Sequence, residues 1–148
     1  MKRLFLTSAA VVLAGSAAHS QVNPSGLKWG PAPGSFPAGA RVAVLSGDPS
    51  KEGLFTIRLR FPPGYTVQPH RHPTDEIVTV LGGQLIFGMG KTIRGANAKT
   101  LVEGGFVVAP ANMNHFASTR SGATIQITAR GPFAITYVNP RHDPRNQR

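Results

Sequence analysis

The chain contains no cysteine, and this absence removes several classes of site. Disulfides, thiolate zinc sites, iron–sulfur clusters and thiol nucleophiles all need a cysteine sulfur. Acidic residues are also scarce, with 6 Asp and Glu against 16 Lys and Arg, which gives a formal charge of +10. The basic residues are scattered and are not interleaved with aromatic side chains. We therefore interpret them as solvated surface charge and expect no nucleic-acid partner.

A long hydrophobic run is also missing, apart from the N-terminus. Residues 1–20 begin with Lys2-Arg3, continue with an apolar segment over 4–14 and end with the small residues of Ala18-His19-Ser20. This order is typical of a secretory signal peptide that is cleaved near Ser20-Gln21. The apolar segment is shorter than the ~20 residues that cross a bilayer, so we expect no membrane span. The pattern predicts a periplasmic or secreted protein.

The remaining chain divides into three parts by composition. Residues 21–40 are rich in Pro and Gly, so they cannot form a helix or a central strand. We interpret them as an N-terminal arm that is either disordered or lies over the domain, with Trp29 and Phe36 as anchors. Residues 41–139 form the predicted domain, and residues 140–148 form a polar, basic tail.

The predicted domain reads as a series of short strands. Apolar and polar residues alternate in the segment 54–61, and turn signals rich in Gly and Pro recur along the domain. Gly82-Gly83 predicts a tight hairpin, because a primed turn needs positive φ. The class is therefore all-β, a sandwich or a barrel. We predict strands over 41–46, 54–61, 65–72, 76–81, 84–89, 99–102, 106–109, 114–118, 123–129 and 133–138.

Two histidines, His70 and His72, lie two residues apart in one predicted strand. Residues i and i+2 of a strand point to the same face, so both imidazoles can reach one cation. Glu76 opens the next apolar run, and His115 is the histidine available to close a site. The alternative is that neighbouring histidines merely fill the surface or the core. Three histidines and a glutamate at strand edges favour the metal site.

Residues 64–83 resemble the first sequence motif of the cupin superfamily. That motif is a Gly, five residues, His-x-His, three or four residues, Glu, six residues and a Gly. Every position is matched, by Gly64, His70, His72, Glu76 and Gly83.

The second cupin motif is similar to the segment that begins at Gly104 and contains Pro110 and His115. Asn112 replaces its usual Gly, which is a mild change because Asn tolerates positive φ. Thr119 replaces its usual Asn, which leaves the metal ligands untouched but removes a polar residue that often shapes the site.

The resemblance covers roughly residues 42–138 and implies a small single-domain cupin with a double-stranded β-helix, or jelly-roll barrel. It also implies one divalent transition metal bound by four residues. Fe, Mn, Ni, Zn and Cu all remain open, because the ligand types do not separate them. Asp75 should point away from this site, and cupins of this kind commonly pair, so a homodimer is expected. The implied ligands are His70, His72, Glu76 and His115.

Two functions are compatible with this resemblance. One is a metal-dependent enzyme of oxygenase, isomerase or lyase type, with dioxygenase-like chemistry favoured, acting on a small, conceivably anionic molecule. The other is a non-catalytic protein that binds a metal or a small molecule as a sensor or carrier. No catalytic acid or base is identified from the sequence. Arg58, Arg60 and Arg130 either steer an anion or face solvent.

The signal peptide predicts the N-terminus of the mature protein. When the full chain is expressed in a bacterium, we expect the exported form to begin at Gln21, because Ala18-His19-Ser20 is the small-x-small cleavage site. Mass spectrometry of protein from the periplasm and the medium measures this. An intact chain found only in the cytoplasm would contradict the prediction.

Overall fold

The structure of the chain, a computed structural model, describes residues 21–147. These residues form eleven β-strands in two antiparallel sheets that pack face to face. The predicted signal peptide lies outside the described residues. No helix in the described range is long and apolar enough to cross a membrane. The strands are β1 Gly30–Pro31, β2 Arg41–Ser46, β3 Gly53–Phe61, β4 Thr66–Arg71, β5 Glu76–Gly83, β6 Leu85–Met89, β7 Ala98–Leu101, β8 Phe106–Ala109, β9 His115–Ser118, β10 Ala123–Gly131 and β11 Thr136–Tyr137.

The two sheets differ in size and enclose one core. The larger sheet has the order β1-β2-β3-β10-β5-β8, and the smaller has the order β11-β4-β9-β6-β7. Four single-turn 3-10 helices lie in connections and near the C-terminus, at Pro24–Gly26, Gly95–Asn97, Pro140–His142 and Pro144–Asn146.

Alternation in the central strands explains how the core forms. β3 and β10 pair antiparallel along their whole length, and Ile57 faces Ile127 in the register. Residues opposite each other in a ladder point to the same face, and both side chains are buried. Burial of each such side chain contributes about 1.5–3 kcal/mol. The intervening residues face solvent, which places Arg58 on the outer face beside Gln126, whose Oε1 accepts from Arg58 Nε at 3.1 Å.

The other arginines singled out in the sequence also lie outside the core. The Arg60 guanidinium lies over the Trp29 ring at 4.4 Å, and Arg130 is exposed. A cation over an indole face is favoured electrostatically. The Arg60 contact ties the N-terminal arm to the outer surface of the large sheet. Because all three arginines lie outside the core, they are not placed to steer an anion into it.

The predicted hairpin at Gly82-Gly83 is wrong. β5 belongs to the large sheet and β6 to the small sheet, so the two strands do not pair with each other. Gly83 has φ +75° and sends the chain from one sheet to the other, next to the Gly122 backbone. A sheet-crossing turn and a hairpin turn both use positive φ, so the glycine pair alone does not distinguish them.

The last predicted strand, over 133–138, is too long. Only Thr136–Tyr137 pairs, with β4. Phe133 instead donates its N–H to the Pro49 carbonyl at 2.7 Å, and its side chain packs against the core. The segment before β11 therefore follows the core surface and leaves the ladder.

Gly83 gives a test of the sheet-crossing turn. Gly83→Ala places a Cβ at positive φ and against the Gly122 carbonyl, so the free energy of unfolding should fall by about 2 kcal/mol or more. Gly82→Ala is the matched control, because its Cβ meets nothing within 4 Å and its φ is not positive. Urea unfolding of both variants measures the difference. Equal losses would contradict the assigned turn.

Candidate metal centre

All four residues predicted as ligands come together in the structure. His70 lies in β4 and pairs with His115, the first residue of β9, so the ladder brings these two imidazoles side by side. His72 follows the end of β4, and Glu76 begins β5 in the opposite sheet. The exposed fractions of the four residues are only 1–4%. The cluster is therefore inside the sandwich and not on its surface.

The ligating atoms of the cluster face one another. One ring nitrogen from each of the three histidines lies within 4.8 Å of the others. Glu76 presents one oxygen to each of two rings, with Oε2 at 3.2 Å from His115 Nε2 and Oε1 at 3.7 Å from His72 Nε2. This arrangement could hold one metal ion.

Backbone carbonyls fix the orientation of every ring. The Nδ1 atom of His70 lies 2.7 Å from the Gln68 carbonyl, that of His72 lies 2.8 Å from Ala134, and that of His115 lies 3.0 Å from Met113. A carbonyl only accepts, so each Nδ1–H donates and each neutral ring keeps its lone pair on Nε2. Such outer contacts are the usual means of orienting a metal-ligating imidazole.

The Nε2 atoms show whether the residues of the cluster fit a cation. Those of His72 and His115 are buried and have no hydrogen-bond partner within the described part of the chain. Their lone pairs face the Glu76 carboxylate, which also only accepts. Buried polar atoms without partners are rare and costly. Imidazole nitrogens and a carboxylate suit a first-row divalent ion, so the residues present fit the metal that the cupin resemblance implies.

Burial lowers the pKa of two of the imidazoles, those of His70 and His72. It lowers the pKa of His70 to about 3, with the neighbouring His115 and His72 rings acting in the same direction. Burial also lowers the pKa of His72, although the Glu76 carboxylate opposes it. For Glu76, burial raises the pKa, but contact with His115 and His72 outweighs it and leaves the pKa below its ordinary value. Neutral rings and an ionised carboxylate are the forms that bind a cation.

The loop before His115 is pinned to the segment that carries His72. Asp75 points away from the cluster, as expected, and its Oδ1 accepts the Ala111 N–H at 2.7 Å. The Asn112 N–H donates to the His72 carbonyl at 2.8 Å. Asn112 has φ 61°, so it takes the left-handed conformation of the Gly that it replaces in the second motif. These contacts hold His115 in place.

Aromatic rings form the walls of the cluster. Phe133 stacks on His72 at 4.4 Å between ring centroids and Phe87 stacks on His115 at 5.2 Å, each with an interplanar angle of 15°. Sequence reasoning does not identify Phe133 as a site residue, since it follows a Gly-Pro step and its pattern predicts an ordinary strand. It also gives Phe36 only as an anchor of the arm, whereas Phe36 lines the cavity beside the cluster.

The cavity itself is small and apolar. Its free volume is about 20 Å³. Among the residues that the structure describes, only the four candidate ligands contribute titratable side chains to its lining, and Thr119 does not line it. The remaining lining residues are Phe36, Leu59, Phe61, Val67, Val78, Leu85, Phe87, Ala117, Ile125 and Ile127.

The family follows from a sequence comparison. The ChrR cupin-like domain family matches residues 17–134, most of the chain. The chain is a cupin. No curated protein sequence matches this cupin closely enough to add to that assignment.

Solved structures agree on the fold of this cupin. The polyketide cyclase RemF from Streptomyces resistomycificus has a TM-score of 0.69 at 15% identity, over 84% of this chain and 88% of its own. A putative acetylacetone dioxygenase from Methylibium petroleiphilum has a TM-score of 0.63 at 20% identity, and the match covers 97% of this chain and 90% of the dioxygenase chain. The DMSP lyase DddQ from Ruegeria pomeroyi has a TM-score of 0.62 at 21% identity, and the match covers 78% of this chain and 63% of the lyase chain. The predicted all-β cupin fold is confirmed.

The buried histidines predict how the stability of the metal-free cupin depends on pH. An unfolded histidine takes up a proton near pH 6.5, whereas the pKa of folded His70 is about 3, so the unfolded state binds more protons between these values. The free energy of unfolding should therefore fall as pH falls through this window, by about 2 kcal/mol from His70 alone between pH 7 and 5. Urea unfolding in EDTA measures it. A flat profile over this range, or His70→Asn with an unchanged slope, would contradict the assignment.

Proposed function

We propose that this cupin binds one divalent transition metal through His70, His72, Glu76 and His115 and acts as a metal-dependent enzyme on a small molecule. One observation carries the proposal. The buried Nε2 atoms of His72 and His115 have no hydrogen-bond partner among the described residues, and both face the Glu76 carboxylate. Three neutral imidazoles and one carboxylate would leave a bound ion with one net positive charge and with one or two positions free.

The carboxylate, the backbone carbonyls and the aromatic rings around the site each have a different role in this function. A bound metal would supply Lewis-acid or redox chemistry at its open positions. Glu76 supplies the negative charge of the site, and the three backbone carbonyls keep the Nε2 lone pairs directed inward. The rings of Phe87 and Phe133 stack on two of the imidazoles and give them an apolar surrounding, which strengthens the electrostatic interactions within the site.

Dioxygenase-like chemistry is the first choice among reaction types. Apart from the four candidate ligands, the described residues place no acid or base in the cavity, so proton transfer by a separate side chain has no agent there. Redox chemistry depends least on such a group. The fold likeness to a putative acetylacetone dioxygenase supports this choice, and the likeness to a DMSP lyase and a polyketide cyclase supports lyase or cyclase chemistry next.

The same observation favours one second candidate. A cavity without a separate acid or base also suits a non-catalytic protein that holds its metal as a sensor or carrier. Oxygen uptake by the Fe(II)-loaded cupin with acetylacetone as the probe separates the two. Uptake that requires both protein and probe supports the enzyme, whereas stoichiometric metal with no uptake on acetylacetone and a panel of small oxygen-donor molecules supports the carrier.

We also propose that this cupin is periplasmic or secreted, which the residue pattern of 1–20 supports. The homodimer stays a prediction of the resemblance, and size-exclusion chromatography with light scattering tests it.

Glu76 and its neighbour Asp75 offer a matched test of the ligand set. Glu76→Gln removes the buried charge that faces two imidazoles, so metal affinity should fall at least about 100-fold, since loss of an outer contact alone typically costs 10–100-fold. Asp75→Asn should leave the affinity close to that of the wild type, because Asp75 is exposed and its contact with Ala111 needs only one oxygen. Competition titration with a chromophoric chelator measures both. Equal losses in the two variants would show that the metal is held elsewhere.

A further inference from the structure

The cavity beside the candidate metal centre is too small for an organic substrate. Its free volume of about 20 Å³ accommodates one water-sized molecule. Sites for small organic ligands have volumes of ~300–1,000 Å³. A substrate of that size can reach the inward-facing Nε2 atoms only if part of the cavity wall moves.

A larger cleft lies on the other side of that wall. It has a volume of about 400 Å³ and lies between the loop 32–40, β2 and the turn at 48–50. Phe36 lines both spaces, and it is the one residue common to them among those described. Its side chain is 8% exposed. Displacement of this ring would therefore join the cleft to the cavity.

The loop that carries Phe36 is attached to the sandwich at few points. The Tyr137 hydroxyl donates to the Ser35 carbonyl at 2.8 Å, and the Tyr65 hydroxyl donates to the Pro37 carbonyl at 2.6 Å. Apart from Phe36 and Ala40, the loop residues 32–40 are exposed or half-buried. Segments with few buried contacts open at low free-energy cost. Apart from His72, Phe36 is the one lining residue outside a strand among those described, so we expect the cavity wall to open there.

The chemistry of the cleft points to an uncharged, apolar occupant. Its lining is mostly apolar, and Asp48 is its one ionised side chain among the residues described. That carboxylate already accepts from the Ser50 hydroxyl at 2.6 Å and pairs with Lys51 at 3.3 Å. No unpaired charge of the lining is left for a charged ligand body. The apolar lining residues are Pro33, Phe36, Val42, Val44, Pro49, Ile57 and Phe133.

We propose that this cleft receives the apolar body of the substrate, whose oxygen-donor head reaches the metal centre past a displaced Phe36. The substrate class is therefore a small chelating molecule with an uncharged hydrocarbon body. Phe36 is the residue that determines which bodies are admitted. This inference depends on the proposed metal function, because the oxygen-donor head needs a metal to bind.

Two hydroxamic acids test the inference, because they share one chelating head. Acetohydroxamic acid has a methyl body and benzohydroxamic acid has a phenyl body. Each is titrated into the Co(II)-loaded cupin, and the change in the visible Co(II) spectrum gives the dissociation constant. Phe36→Ala should improve the affinity for benzohydroxamic acid by about 10-fold or more relative to acetohydroxamic acid, since removal of a wall group changes pocket selectivity on this scale. Phe106→Ala is the matched control, because Phe106 is 58% exposed on β8, at the opposite edge of the large sheet.

A second test fills the cleft with one exposed substitution and places its matched control elsewhere on the surface. Val44 and Val102 are both 54% exposed, but only Val44 lines the cleft. Val44→Trp should weaken benzohydroxamic acid by about 10-fold or more and leave acetohydroxamic acid nearly unchanged. Val102→Trp should change the affinity for neither hydroxamic acid. This pair decides the question alone if thermal melting shows that Phe36→Ala does not fold.

The outcomes separate this inference from the proposed function. If Co(II) binds and both test variants keep the selectivity of their controls, the cleft is not the substrate site, and the metal function still stands. If Co(II) does not bind to the wild-type protein at the histidine cluster, the proposed function fails and the inference fails with it.

Discussion

The structure depends on one electrostatic constraint, which is a buried carboxylate facing imidazole lone pairs that have no proton to offer it. The Nδ1–H groups of His70, His72 and His115 are committed to backbone carbonyls, so each Nε2 presents a lone pair toward the interior. Glu76 faces the same point. An apolar shell surrounds these groups and offers no compensation within the described residues. A divalent cation would remove the conflict, because it would convert four acceptors into four ligands.

The β-sandwich supplies the geometry that this constraint requires. The ladder between β4 and β9 sets His70 beside His115, and Glu76 approaches from the opposite sheet. The loop 32–40 joins β1 to β2 at one edge of the large sheet, and its Ser35 carbonyl accepts from Tyr137 of β11. This loop places Phe36 between the cavity and the outer cleft. The sandwich therefore provides both the site and its proposed entrance, because the loop 32–40 covers its edge and is attached to it at few points.

Sequence reasoning could predict the parts of the fold that depend on local pattern. Alternation identified β3, and the spacing of His70, His72 and Glu76 placed three site residues on or beside two consecutive strands, which the structure assigns to opposite sheets. The Gly82-Gly83 hairpin failed because positive φ at Gly83 is shared by turns that stay in one sheet and turns that change sheet. Phe36 could not be recognised as a cavity wall, because its position depends on long-range contacts of its loop. The Tyr65 hydroxyl donates to Pro37 and the Tyr137 hydroxyl to Ser35, over 28 and 102 residues. Contacts of that separation leave no periodic signal in the sequence.

The most direct test of this account is an anomalous-scattering measurement on crystals of the Co(II)-loaded cupin. We expect one anomalous peak inside the sandwich, with the Nε2 atoms of His70, His72 and His115 and a carboxylate oxygen of Glu76 at about 2.0–2.2 Å from it. A peak only at surface residues, or an empty cluster whose imidazoles point away from Glu76, would contradict the central claim.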